Sequence, residues 1–471
     1  MRLVAAALLA ALTPIVGWAE DTPWAEKTHA LGVFDSPPAG LQSGDQLDRL
    51  LDLGEALFAA PFTTLDGAGR PRATQAILPT KTKRPLRSAF ARTSGPDANS
   101  CASCHNQPVL GGAGDFTMNV FVSEGFNNHD FDTTDPEFSN ERGTNHLFGA
   151  GLIELLAREI SFDLIELRRD ALSQARASNA PIVTTLTSKG ISFGTLTAHP
   201  SGIVDLGDIS GVDADLVVRP FTQKGVVESL RQFSINAMNH HHGMQASERF
   251  GARWTGEADF DEDGINDELS GGDISALVAW QATLPAPRIW APDSPQWQSA
   301  AAKGQTNFTA FGCATCHKMA LPLNSMIFTD PSPFDGAGTL RASETADPMQ
   351  IDLAQLPWAQ NLVRNAQGQV MVPLFGDLKR HKMTDAEVAT LGNELFSQRF
   401  VGRDTFMTAE LWGVGSTAPY GHRNDLTTLD EIIRAHGGDA RASRDAYIAA
   451  SKSNQQEIIA YLKTLRISEV D

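Results

Sequence analysis

Two stretches of the chain repeat one pattern of apolar and polar positions. Leu277-Val278-Ala279-Trp280-Gln281-Ala282-Thr283-Leu284 and Ile458-Ile459-Ala460-Tyr461-Leu462-Lys463-Thr464-Leu465 both place apolar side chains at i, i+1, i+3 and i+7. This spacing predicts an amphipathic helix whose buried face carries an aromatic ring. Upstream, Ser229-Leu230-Arg231-Gln232 and Thr428-Leu429-Asp430-Glu431 each set a hydroxyl residue where a helix needs its N-cap. The chain therefore reads as two similar halves, each ending on a capped helix and then an aromatic-bearing one. Pro285-Ala286-Pro287 marks the boundary, and a linker continues to about Pro295. The first half is longer, and its Gly-, Thr-, Ser- and Val-rich stretch 181–218 predicts a small β insertion.

The amino end adds a compartment. Arg2 precedes an apolar run from Leu3 to Leu12, followed by Pro14 and the small-residue site Gly17-Trp18-Ala19. This is the pattern of a secretory signal peptide, residues 1–19, cleaved after Ala19. The run is shorter than the ~20 apolar residues a membrane span needs, and no cysteine at the cleavage site offers a lipid attachment point. Export without a membrane anchor is expected.

Composition narrows the partners. The chain has 471 residues, with 38 basic against 56 acidic side chains and a net charge of −18. Such an acidic chain is a poor ligand for nucleic acid and steers basic proteins toward itself. A hydrophobic fraction of 42% with 20% charged residues suits a folded chain.

The only four cysteines fall as Cys101-Ala-Ser-Cys104-His105 and Cys313-Ala-Thr-Cys316-His317. C-x-x-C-H is the attachment signature of c-type haem, with the thiols adding to the two porphyrin vinyl groups. The adjacent histidine then supplies the proximal iron ligand. Two covalently bound haems c are expected, with His105 and His317 as proximal ligands. The competing readings are a thioredoxin-like pair and a zinc site made of all four cysteines.

The chain resembles the di-haem oxidoreductase family of bacterial peroxidase-like proteins, and more distantly the di-haem cytochrome c peroxidases. The resemblance covers most of the mature chain. It is carried by both C-x-x-C-H motifs, by Leu411-Trp412-Gly413-Val414-Gly415-Ser416-Thr417-Ala418-Pro419-Tyr420-Gly421-His422, by Leu429 to Ala440, and by Asp377-Leu378-Lys379-Arg380-His381. It implies that the sixth ligand of the second haem lies fourteen residues after the Pro-Tyr-x-His element, here at His436. Methionine is common there in the peroxidases, so an imidazole implies a lower potential. His381 and Met383 are the runners-up, and helix capping by His436 is the competing role.

For the first haem, the resemblance places a Gln and a carboxylate on the distal side. Gln232 takes the first position, and His240-His241-His242-Gly243-Met244 falls at the second. His241 or His242 has the pKa range to move a proton between the two oxygens of a peroxide. Ligation by His242 or Met244 is the alternative, with core packing a third role for Met244. His146 matches another distal-side stretch, whereas His129 and His199 read as solvated side chains.

Asp259-Phe260-Asp261-Glu262-Asp263-Gly264-Ile265-Asn266-Asp267 matches the first nine positions of a calcium loop, although position twelve is Ser270 rather than Glu. A solvated acidic loop is the alternative. The resemblance also implies an ion held by carbonyls of Thr417 and Pro419, but Gly143 stands where its asparagine is expected.

The expected fold is mainly α. It has a leader at 1–19 and two cytochrome c-like haem modules at 20–290 and 291–471, the first holding the small β insertion and the calcium loop. The expected function is a periplasmic, peroxidase-like di-haem oxidoreductase. Its C-terminal haem would relay electrons from a small basic redox protein to an N-terminal haem that takes peroxide or another small oxidant. A pure electron carrier and a di-haem oxygenase or protein-modifying enzyme are the alternatives.

Overall fold

The computed structural model describes residues 24, 26, 31–69, 100–115, 117–122, 139–290, 292–394 and 399–467. The expected leader and His129 lie outside them.

Two crossed helix pairs frame the chain. The helix Gly44–Ala59 packs on Gly271–Thr283, and Pro295–Ala310 packs on Lys452–Leu462. Both crossings are closed by a glycine. A Cβ at Gly54 would lie 2.2 Å from the Ala276 carbonyl oxygen, and one at Gly304 would lie 1.9 Å from that of Glu457. No other residue lets the backbones approach this closely. Four positions after each glycine a phenylalanine is buried, Phe58 in the first pair and Phe308 in the second. The aromatic residues of the repeated pattern, Trp280 and Tyr461, pack against these rings at centroid distances of 4.5 and 5.7 Å.

The capping signals have direct counterparts. Ser229 accepts from the Gln232 N–H to start Leu230–Ala237, and Thr428 forms a capping box with Glu431 to start Leu429–Arg434.

The expectation of a mainly α fold is corrected. Helix accounts for 39% and strand for 15%, the strands being spread over six small sheets among the described residues. Most strands are two to four residues long, too short for alternation to register as a periodic signal. Leu321–Leu323 pairs with Val370–Val372, and Ile327–Asp330 pairs with Met349–Asp352. The stretch 181–218 holds the longest strands, Ile182–Ser188 and Ile191–Ala198, joined antiparallel.

The two halves interlock. Leu41 and Gln42 form a parallel strand against Gln350 and Ile351. Nearby, the buried Arg231 bonds Asp330 at 2.5 Å and Glu248 at 2.7 Å. Arg158 pairs with Glu154 and donates to the Thr329 carbonyl at 2.8 Å. Buried pairs of this kind add little net stability, but losing one partner leaves a naked charge. No helix among the described residues is long and apolar enough to cross a membrane.

Candidate functional site

The second motif follows the helix Pro295–Ala310. Gly312 turns the chain at φ +83°, and Cys313–Thr315 forms one tight helical turn. The His317 N–H donates to the Cys313 carbonyl at 3.0 Å. Its Nδ1–H donates to the Phe375 carbonyl at 3.1 Å. The ring of His436 lies 6.5 Å away between centroids, tilted by 53°. His436 lies just beyond Leu429–Arg434, with its Nδ1–H donating to the Ile432 carbonyl at 2.7 Å.

These backbone bonds fix both tautomers and leave Nε2 as the metal-binding atom of each ring. Metal–imidazole bonds of about 2.0–2.1 Å would separate two axial ring centroids by roughly 6.3 Å. The separation therefore fits a pair of imidazoles that would hold one iron between them. Burial, reinforced by repulsion from His436, pushes His317 down to about 4, and burial lowers His436 as well. Both rings are thus held neutral, as ligation requires. His381 is differently engaged. Its Nε2 lies 2.9 Å from Asp377 and its Nδ1 3.5 Å from Asp439. Met383 packs in a small cluster with Leu391, Phe406 and Ala435.

The first motif is built alike. Ser100 caps the Cys101–Ser103 turn, and the His105 N–H donates to the Cys101 carbonyl at 2.9 Å. The ring's Nδ1–H donates to the Gly112 carbonyl at 3.3 Å, again reserving Nε2. Burial pushes His105 down to about 4 against the opposing pull of that carbonyl. Phe58 lies 5.9 Å from His105, as Phe308 lies 6.3 Å from His317. Gly54/Phe58 and Gly304/Phe308 share a Gly-x-x-x-Phe spacing that was present in the sequence, although Gly256/Phe260 and Gly402/Phe406 repeat it outside helices.

The three histidines sit on a π-helical turn, Met238–His242. The extra residue in that turn spreads their side chains over different directions. His242 is buried, with Nε2 3.6 Å from the Cys101 sulfur and its ring 5.8 Å from Phe62. His241 lies 6.4 Å from His242 and is among the groups that lower His105. Both are thus gathered at the first motif. Gln232 is buried in the preceding helix, its Oε1 without a hydrogen-bond partner. Met244 is fully buried in the main hydrophobic cluster.

The two motifs are joined through Trp412, which sequence reasoning did not single out. Its carbonyl accepts from His146 Nε2 at 3.0 Å, and a Cβ on Gly149 would lie 2.4 Å from its ring. Leu411 and Trp412 donate to the carbonyls of Phe375 and Leu374, both at 3.4 Å.

The carboxylates of Asp259, Asp261 and Asp263 converge within 4.8 Å of one another, whereas Asp267 is exposed at φ +47°. Ser270 is occupied elsewhere, forming a capping box with Asp273 at the start of Gly271–Thr283. Gly143 packs against the Asn424 amide, which comes from the other half.

The competing cysteine chemistries find little support. A thioredoxin-like pair needs a depressed thiol, yet burial pushes Cys101 up to about 12 and Cys313 up to about 11. Among the described residues no metal-binding group contains both cysteine pairs.

No protein-family model matches the chain, and no curated protein matches it. Among solved structures it is similar to hydrazine synthase from Kuenenia stuttgartiensis, pressurised with 20 bar xenon. The TM-score is 0.37 and the identity 13%, with 99% of each chain covered. It is also similar to a MauG-like protein associated with microbial copper homeostasis, at TM-score 0.36 and 15% identity, covering 96% of this chain and 98% of that one. At these scores neither likeness decides fold or chemistry.

Proposed function

We propose that the protein is an exported di-haem c-type oxidoreductase of peroxidase-like activity, with Cys101/Cys104 and Cys313/Cys316 as attachment points. The observation that carries this reading is the His317–His436 pair, whose 6.5 Å separation and backbone-fixed tautomers would let both Nε2 atoms hold one haem iron. When bound, the two haems supply one-electron iron chemistry and a place for a small oxidant to bind.

The protein's own residues divide the work. His317 and His436 would both hold the second haem, which suits electron relay rather than substrate binding. His105 would hold the first. His241 and His242, gathered at the same motif, take and return the proton that peroxide cleavage moves. A small basic donor protein in the periplasm fits the net charge of −18.

Low-temperature EPR of the oxidised protein, with and without peroxide, tests the reading. One low-spin signal and one peroxide-responsive signal are expected. Two low-spin signals indifferent to peroxide would overturn the peroxidase reading in favour of a pure electron carrier.

A further inference from the structure

We propose that Asp259–Glu268 is a calcium site whose ligands are the carboxylates of Asp259, Asp261, Asp263 and Glu268, with Glu268 standing in for the absent twelfth-position glutamate. The loop is already wound for such an ion. Asp259 accepts from the N–H groups of Asp263 and Gly264 at 3.1 and 3.0 Å, and Asp263 accepts from Ile265 at 2.8 Å. Gly264, at φ +96°, makes the sharp turn at the sixth position. These bonds hold the three aspartate carboxylates within 4.8 Å.

The independent observation is Asp261. It has no solvent exposure, and neither carboxylate oxygen has a hydrogen-bond partner. A buried carboxylate without a donor is strongly unfavourable. Glu268, 5% exposed, stands beside the three converging aspartates and spends one oxygen on the Gln245 N–H at 2.7 Å. Two acids are thus buried here beside further carboxylates of the same loop. A divalent cation removes both penalties at once.

Ser270 is not available as a ligand, because its hydroxyl binds Asp273 and donates to the Phe34 carbonyl at 2.6 Å. Glu268 is the buried acid nearest to that position in the chain. Four carboxylates and the seventh-position carbonyl of Ile265 suit calcium, which takes six to eight oxygens. Magnesium keeps its waters and uses one or two carboxylates. The ion would also act on the first motif's neighbourhood. Glu268 bonds Gln245, and Ser247 donates to the Leu269 carbonyl at 2.9 Å, tying the loop to the chain that leaves the histidine turn.

The test uses the mature, haem-loaded protein stripped with a chelator, then titrated with calcium chloride by calorimetry and followed by thermal unfolding. Expected are one calcium bound per chain and a midpoint raised by about 3 °C or more at a hundredfold excess over the dissociation constant. Asp261→Asn and Glu268→Gln should each weaken binding at least about tenfold. Without calcium, Asp261→Asn should unfold at or above the wild-type temperature, because it removes a buried carboxylate that has no donor. The proposal is overturned by a wild type that neither binds nor shifts, by variants that bind as tightly as wild type, or by a calcium-free Asp261→Asn that unfolds earlier. An equal shift with magnesium chloride at the same concentration overturns the assignment to calcium.

Discussion

The Nε2–H of His146 donates to the carbonyl of Trp412 at 3.0 Å, a hydrogen bond across 266 positions of sequence. Its two ends point to different motifs. His146 is one of the groups whose charge acts on His105. Trp412 follows Leu411, which donates to the same Phe375 carbonyl that holds His317. A single polar contact thus lies on the short path between the two proximal histidines.

Trp412 is 2% exposed, and its indole Nε1 has no hydrogen-bond partner. Trp412→Phe therefore loses no polar contact and should keep the fold, while Trp412→Ala should cost about 3–5 kcal/mol in chemical denaturation. If the indole lies on the electron path, stopped-flow reduction of the first centre slows in the phenylalanine variant. An unchanged rate would place the path elsewhere.

His436→Met should keep the second centre six-coordinate and raise its potential by on the order of 100 mV, since axial ligands span about 0.8 V across haem proteins. His436→Ala should remove the corresponding low-spin EPR signal. Redox titration and EPR check the two outcomes, and a signal unchanged in His436→Ala would refute the ligand.

His242→Ala should lower the second-order rate constant for peroxide by about 10²–10⁴-fold, the usual worth of a positioned acid–base group. Pyridine haemochrome content measured alongside should remain at two haems per chain. A full rate with full haem content would free His242 of any catalytic role.

Asp335 supplies a pH prediction distant from either motif. Burial, with the Glu154 and Asp330 carboxylates nearby, lifts it well above the usual carboxylate range. A folded pKa above the unfolded one means that its contribution to stability is intact below the unfolded value of about 4 and lost as pH rises toward the folded value. Asp335→Asn keeps a neutral group beside Ser229 and Ser332 and removes this loss. The variant's unfolding midpoint relative to wild type should therefore climb steadily from about pH 4 to neutrality. A flat difference would show that Asp335 is ionised in the fold.

The chemistry was easier to read in the sequence than the architecture. C-x-x-C-H, the hydroxyl caps at Ser229 and Thr428, and the aromatic helices around Trp280 and Tyr461 are local signals, each set by residues within one or two turns. The position of His436 was legible only through its spacing from Pro419-Tyr420-Gly421-His422, and the structure places its ring against His317. Strands such as Leu321–Leu323 escaped because three residues show no period, and their pairing is decided by distant segments. The π-helical turn at Met238–His242 was hidden because a one-residue insertion leaves no mark on composition. Ser270 was weighed as a loop position when its neighbour Asp273 makes it a helix cap.

The parallel pairing of Leu41 and Gln42 with Gln350 and Ile351 sets an order of assembly. A chain that emerges amino end first holds its earliest strand without a partner until roughly three-quarters of its length has followed. Contacts this distant in sequence form late and slowly. Cys101 and Cys104 lie inside that waiting interval, made before the strand Met349–Asp352 that completes the sheet. The late strand then ties the amino end to the second half only after both cysteines of the first motif have been made.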